Sequence, residues 1–186
     1  MNAQPFLITG LPRSRTAWLS VLCTTGDSFC YHEPAPEFSD ISDLLNIYDR
    51  PTPKYIGVSD SGLAYFLPWI MQNVGPRTVI IERDLSEVKN SLEKCWGIEI
   101  SHSRLSDLMS RLRAFKNHPL VMWVPFSSLK EKRVVEKIAF HLMPEVSFDE
   151  SRYEQLAHMN ITVDMKHKSD QVSKHIGNIS TLMRAA

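Results

Sequence analysis

Short apolar runs of strand length alternate along the chain with longer stretches whose apolar residues recur every three or four positions. Phe6-Leu7-Ile8 is the first such run, closed by Gly10 and Pro12, and predicts a buried strand entering a tight loop. Thr16 to Thr25 then sets Trp18, Leu19, Leu22 and Cys23 at helical spacing, with Gly26-Asp27 as the stop. Ser28 to Glu33 reads as a second strand that Pro34 and Pro36 cannot extend. Ile41, Leu44, Leu45 and Tyr48 mark an amphipathic helix broken at Arg50-Pro51-Thr52-Pro53; a short strand over Lys54 to Ser59 and a helix over Ser61 to Val74, carrying Pro68, come next. Arg77 to Glu82 holds Thr78-Val79-Ile80-Ile81, the β-branched run expected of a parallel strand buried on both faces. Helices over Ser86 to Trp96 and Ser103 to Lys116, a strand over Leu120 to Val124 and a helix over Lys130 to Met143, stopped by Pro144, complete the pattern. Beyond about Asn160 the periodicity fades, and Lys166, His167, Lys168, Lys174 and His175 fall in what reads as a C-terminal arm.

Strands alternating with helices imply right-handed crossovers, hence an α/β three-layer sandwich with a mainly parallel central sheet. The 186 residues suit a single domain, with a core over about 5–160 and an arm over 161–186. Ligands of such sheets sit beyond the carboxyl ends of the strands. Three segments reach that edge: the loop from Gly10, the loop from Glu33 and the turn at Arg83-Asp84.

Composition narrows the partners. Positive and negative side chains balance at 21 each, which removes a general electrostatic pull toward nucleic acid or anionic membranes, so any anion site must be local. No stretch approaches the roughly 20 apolar residues of a membrane span, and Met1 to Pro5 lacks the pattern of a secretion signal; a cytoplasmic location is expected. Cys23, Cys30 and Cys95 form no paired spacing and read as reduced, buried side chains. The seven histidines show no HExxH or comparable spacing, so no metal site is expected.

A strand, a glycine-containing loop and a helix start gather free backbone N–H groups at one point, as a phosphate or sulfate requires. The loop from Gly10 departs from GxxxxGK[ST], because Arg15, Thr16 and Ala17 stand where Gly, Lys and Ser or Thr belong; lysine and magnesium hydroxyl are both missing. Pro12-Arg13-Ser14-Arg15-Thr16-Ala17-Trp18-Leu19 instead resembles, at six of eight positions, the P-[KR]-S-G-T-T-W-L loop of sulfotransferases that use 3′-phosphoadenosine 5′-phosphosulfate. Arg15 replaces the glycine and Ala17 the second threonine. The same family holds the 3′-phosphate with an Arg at a strand end and a Ser eight residues later; Arg83 and Ser91 resemble that pair, with Leu85 in place of a usual proline. Trp123-Val124-Pro125-Phe126-Ser127-Ser128-Leu129 is similar to the family's late strand-loop-helix segment, while its late Arg-Lys-Gly stretch has no clear counterpart, leaving Lys166 and Lys168 as candidates.

The resemblance implies a P-loop NTPase-like, sulfotransferase-like fold and transfer of a sulfuryl group to a hydroxyl or amine of a small-molecule or peptide acceptor. It places the nucleotide on Gly10, Pro12, Arg13, Ser14, Arg15, Thr16, Ala17, Trp18, Arg83 and Ser91, with Arg13 at the leaving phosphate and Trp18 against adenine. The acceptor's proton needs a base, for which Glu33 and His32 compete; strand alternation would send them to opposite faces, so one alone should reach the substrate. A P-loop kinase-like protein and a non-catalytic nucleotide or phosphate binder are the alternatives.

Overall fold

The computed structural model describes residues 3–159 and Ile161. Five strands, β1 (Gln4–Gly10), β2 (Ser28–His32), β3 (Tyr55–Ser59), β4 (Arg77–Glu82) and β5 (Val121–Pro125), form one parallel sheet in the order β2-β3-β1-β4-β5. Helices α1 (Thr16–Leu22), α2 (Asp43–Tyr48), α3 (Leu67–Asn73), α4 (Leu85–Trp96), α5 (His102–Arg113), α6 (Lys132–Leu142) and α7 (Glu150–Ala157) cover it. Strand alternation sorts the core into two layers. Leu7, Ile56, Val58 and Ile80 face α2 to α5, while Phe6, Ile8, Tyr55, Val79 and Ile81 face α1, α6 and α7. Most of these strand residues are fully buried, and each such side chain contributes about 1.5–3 kcal/mol. Gly57 belongs to this packing: a methyl group there would lie 2.0 Å from the Phe6 ring.

Two registers define the functional edge. His32 and Ile8 both pair with Ser59, while Gly10 pairs with Ile81, itself opposite Val124, so all five strands end at one edge, β2 and β3 two residues short of the end of β1. The chain leaves β1 toward β2 on one side and leaves β4 toward β5 on the other. Between β1 and β4, neighbouring connections therefore diverge and open a crevice, where α/β sheets take their ligands.

Several predicted bounds shift for local reasons. The expected helix over Ser61 to Val74 divides into a 3₁₀ turn at Gly62–Phe66 and α3, because Pro68 takes the first turn of a helix, where its missing N–H costs nothing. Pro34 leads into a 3₁₀ turn over Ala35–Glu37. Helix α7 was not predicted; Asp149 caps it by accepting the Arg152 N–H at 2.9 Å, and only Tyr153 and Leu156 are buried. The C-terminal arm, including Lys166 and Lys168, lies outside the described residues apart from Ile161, which packs partly buried on the α1, α6 and α7 side. Among the described residues no helix is long and apolar enough to cross a membrane.

Candidate active site

At the crevice, β1 runs into the loop 11–15. Gly10 is required there by close approach: a methyl group would sit 2.5 Å from the Ile81 carbonyl oxygen. Two loop residues, Arg13 at φ 64° and Arg15 at φ 61°, occupy left-handed backbone that L side chains adopt reluctantly. Arg15 stands where the resembling motif has glycine, and it takes a conformation glycine would hold without strain. Ser14, between them, is fully buried, and its Oγ has no hydrogen-bond partner among the described residues. A buried hydroxyl without a partner is costly unless a ligand supplies one.

The turn after β4 meets this loop directly. Arg83 Nη1 donates to the Arg13 carbonyl, Arg83 Nε pairs with Glu87 at 3.2 Å, and the guanidinium lies 4.1 Å from the Phe126 ring centre. Asp84 begins α4 by accepting the Ser86 and Glu87 N–H groups at 2.9 and 3.0 Å, which carries Ser91 two turns on and back over the loop. Arg13 Nε donates to Ser91 Oγ at 3.2 Å and Nη2 to Cys95 Sγ at 3.5 Å, with Trp96 5.3 Å away as a ring partner. The two motifs, 70 residues apart in sequence from Arg13 to Arg83, thus form one cationic corner.

The remaining expected nucleotide contacts differ in setting. Pro12 and Ala17 are half-buried in the loop and first turn; Thr16 is buried, and its carbonyl accepts from Ser59 Oγ at 2.9 Å. Trp18 does not suit adenine stacking: it is 4% exposed, its indole N–H donates to the Leu156 carbonyl at 2.8 Å, and its ring meets Tyr153 edge-on. Its burial follows from α7, the helix the sequence pattern did not disclose. The Arg15 guanidinium lies 5.9 Å from the Trp18 ring, away from the hydrogen bonds that join Arg13 and Arg83. Cys95 is exposed, against expectation; Cys23 and Cys30 are buried, and burial pushes the Cys23 thiol up to about 12.

The acidic side of the edge lies at the ends of β2 and β3. Alternation does not separate His32 from Glu33, because β2 ends at His32 and Glu33 turns to φ 49°. Their Nε2 and Oε1 atoms lie 3.8 Å apart, with side chains 21% and 27% exposed. Asp60 sits directly behind, fully buried. Its carboxylate accepts the Ala35 N–H at 3.2 Å and the Gly62 N–H at 2.7 Å, its N–H donates to the Ile8 carbonyl at 3.0 Å, and its carbonyl accepts the Thr9 hydroxyl at 2.8 Å. Burial pushes the Asp60 carboxyl up to about 7, the Glu33 charge adds to the rise, and the N–H bonds from Ala35, Gly62 and Leu63 oppose it. Sequence reasoning missed Asp60, although an acid directly after an apolar strand is the signal that singled out Glu33. Cys95 was readable too, one helical turn beyond Ser91 on the same face.

This architecture is the P-loop NTPase-like fold of sulfotransferases. Two solved structures share it: mouse sulfotransferase SULT7A1 complexed with PAP, at a TM-score of 0.59 and 16% identity over 83% of this chain and 62% of that one, and a sulfotransferase from Alicyclobacillus acidocaldarius, at 0.56 and 11% over 99% and 97%. The aligned region thus spans about 62% of the length of the mouse protein. No family model and no curated protein matches the chain.

Proposed function

We propose that the chain transfers a sulfuryl group from 3′-phosphoadenosine 5′-phosphosulfate to a hydroxyl or amine of a small-molecule or peptide acceptor. The observation that carries this reading is the meeting of Arg13, Arg83 and Ser91 at the crevice between β1 and β4, beside a buried Ser14 hydroxyl in need of a partner. The PAP held by the mouse neighbour, the 3′-phosphoadenosine 5′-phosphate that transfer leaves behind, supports the same donor.

In this reading the loop N–H groups and Ser14 hold the 5′-phosphate, and Arg83 with Ser91 takes the 3′-phosphate, the Arg fork suiting a dianion. Arg13 offsets the charge that gathers on the bridging phosphate oxygen as its bond to sulfur breaks; alignment and charge stabilisation are the main catalytic terms for such a transfer. Phe126, against Arg83, is the ring that the geometry offers adenine in place of Trp18. The acceptor oxygen or nitrogen forms the new bond to sulfur while its proton passes to Glu33, whose side chain is more open than that of His32.

Thermal denaturation with PAP, compared with ATP plus magnesium, tests the donor, since a ligand that binds only the folded chain raises its melting temperature. A rise with PAP alone supports sulfuryl transfer. A rise with ATP and magnesium alone would favour the kinase-like reading and overturn this one.

A further inference from the structure

We propose that Asp60 is a positioning residue for Glu33, fastening the turn that presents the base to the strand end that opens the anion loop, and sensing the charge on the base itself. The word base rests on the sulfuryl-transfer reading; the coupling does not.

The geometry is that of a joint. One face of Asp60 is bound to β1 through the Ile8 carbonyl and the Thr9 hydroxyl, one residue before Gly10. The other reaches the Ala35 N–H, two residues after Glu33, and the Gly62 N–H that opens the next turn. The Glu33 N–H itself donates to the Ser59 carbonyl at 2.9 Å, so the base is one strand-end neighbour of Asp60. Glu33 holds left-handed backbone, a conformation that lasts only where the surroundings impose it. The hydrogen bonds through Ser59 and Asp60 on either side of it are that constraint.

Electrostatics follows the same line. The titratable groups about Asp60 are Glu33 and, 3.8 Å from the Glu33 carboxylate, His32; β1 presents a carbonyl and a hydroxyl, and the turn after β3 presents the Gly62 and Leu63 N–H groups. A fully buried carboxyl group with Glu33 nearby holds its proton up to about pH 7, well above the ordinary carboxylate range. A carboxyl group that served only as a turn tie would titrate without regard to Glu33.

Carbon-13 NMR of the full chain, labelled at side-chain carboxyl carbons, measures this across pH 3 to 9. The expected result is a carboxyl midpoint near 7, absent from Asp60→Asn, that falls by about one unit in Glu33→Gln. A midpoint in the ordinary carboxylate range, or one that Glu33→Gln leaves in place, overturns the proposal. Should Asp60→Asn fail to fold, the Glu33→Gln arm decides alone, since that side chain is partly exposed and replaceable. Melting with PAP separates the two readings. If PAP gives no rise and the midpoint still moves with Glu33→Gln, the donor assignment falls and the coupling stands. If PAP stabilises and the midpoint is unmoved, the reverse holds.

Discussion

The carboxyl edge of the sheet has two corners of opposite character. Between β1 and β4 the polar groups are cations with exposed or half-buried heads, joined by hydrogen bonds of their own: Arg13 to Ser91, and Arg83 to the Arg13 carbonyl and Glu87. Between β2 and β3 stand two acids beside His32, and one of them, Asp60, is sealed from water and accepts backbone N–H groups. Formal charge over the whole chain is zero, so it is the separation of charge along one edge that gives the site a direction. In the proposed reaction an anionic donor would be drawn to one corner, and a proton released by the acceptor would be taken up at the other. The fold that makes this possible is the strand order, which puts β1 between the two corners, bound to Asp60 through Ile8 and Thr9 and leading into the loop that carries Arg13.

The comparison breaks most sharply at Glu33. Replacing it by Gln keeps shape and removes the proton acceptor, so turnover with any acceptor that supports transfer is expected to fall about a hundredfold to ten-thousandfold. PAP affinity, a property of the other corner, is expected to stay within about twofold, the scale of a few tenths of a kcal/mol. Initial rates and calorimetric titration on one preparation check both. Loss of PAP binding in Glu33→Gln would merge the two corners into one.

The cationic corner was far more legible in the sequence than the acidic one, because each of its two motifs is contiguous, although 70 residues separate Arg13 from Arg83. Arg83 and Ser91 lie on one strand-turn-helix unit, where fixed helical rise makes an eight-residue spacing a geometric statement. The loop 11–15 is likewise contiguous. Asp60 acts on Glu33 from 27 residues away, across a strand pairing that apolar patterning predicts only as membership of a sheet. Trp18 illustrates the same limit. Its apolar spacing marked a buried face, but which element buried it depended on α7, eight residues with two buried side chains and too little periodicity to stand out. Position at a strand's carboxyl end was readable for Glu33 and Arg83; the neighbour across the sheet was not.

The next largest effect is the pH dependence of stability, which isolates Asp60. Its carboxyl is raised from 3.8 to about 7 in the folded chain, so between those values the folded chain holds a proton that the unfolded chain has released. Stability contributed by this group is full below about pH 4 and is lost as pH rises through about 7, a decline of up to about 4 kcal/mol over three units. Urea unfolding at intervals from pH 4 to 8 should show that slope in the wild type and a flatter one in Asp60→Asn. A wild-type slope of the opposite sign across this window would place the charge of the acidic corner elsewhere.

At the cationic corner, Arg13→Ala and Arg83→Ala are each expected to weaken PAP at least tenfold, equivalent to about 1.4 kcal/mol. Arg113→Ala is the informative control, because Arg113 pairs with Glu82 at 2.7 Å near the same edge, with a side chain 61% exposed. If general positive charge drew the nucleotide, all three variants would lose affinity together. If the joined geometry of Arg13 and Arg83 holds it, Arg113→Ala leaves the calorimetric affinity nearly unchanged, an exposed pair being worth less than about 1 kcal/mol.

The smallest effect asks what Arg15 does at the glycine position of the loop. Its left-handed backbone at φ 61° costs about 1–2 kcal/mol in a residue with a side chain, and glycine would relieve that. Glycine also frees the unfolded chain by about 0.5–1 kcal/mol and gives up the contact with the Trp18 ring, worth a similar amount at an exposed site. These terms nearly cancel, so Arg15→Gly is expected to unfold within about 0.5 kcal/mol of the wild type. Arg15→Ala keeps the strain and loses the contact, and should be less stable by about 0.5–1 kcal/mol. Because the Arg15 guanidinium lies over Trp18 and not among the hydrogen bonds linking Arg13 and Arg83, PAP affinity should change little in either variant. A tenfold loss in both would show that Arg15 swings from the tryptophan to the phosphate when the nucleotide arrives, and would add a third cation to that corner.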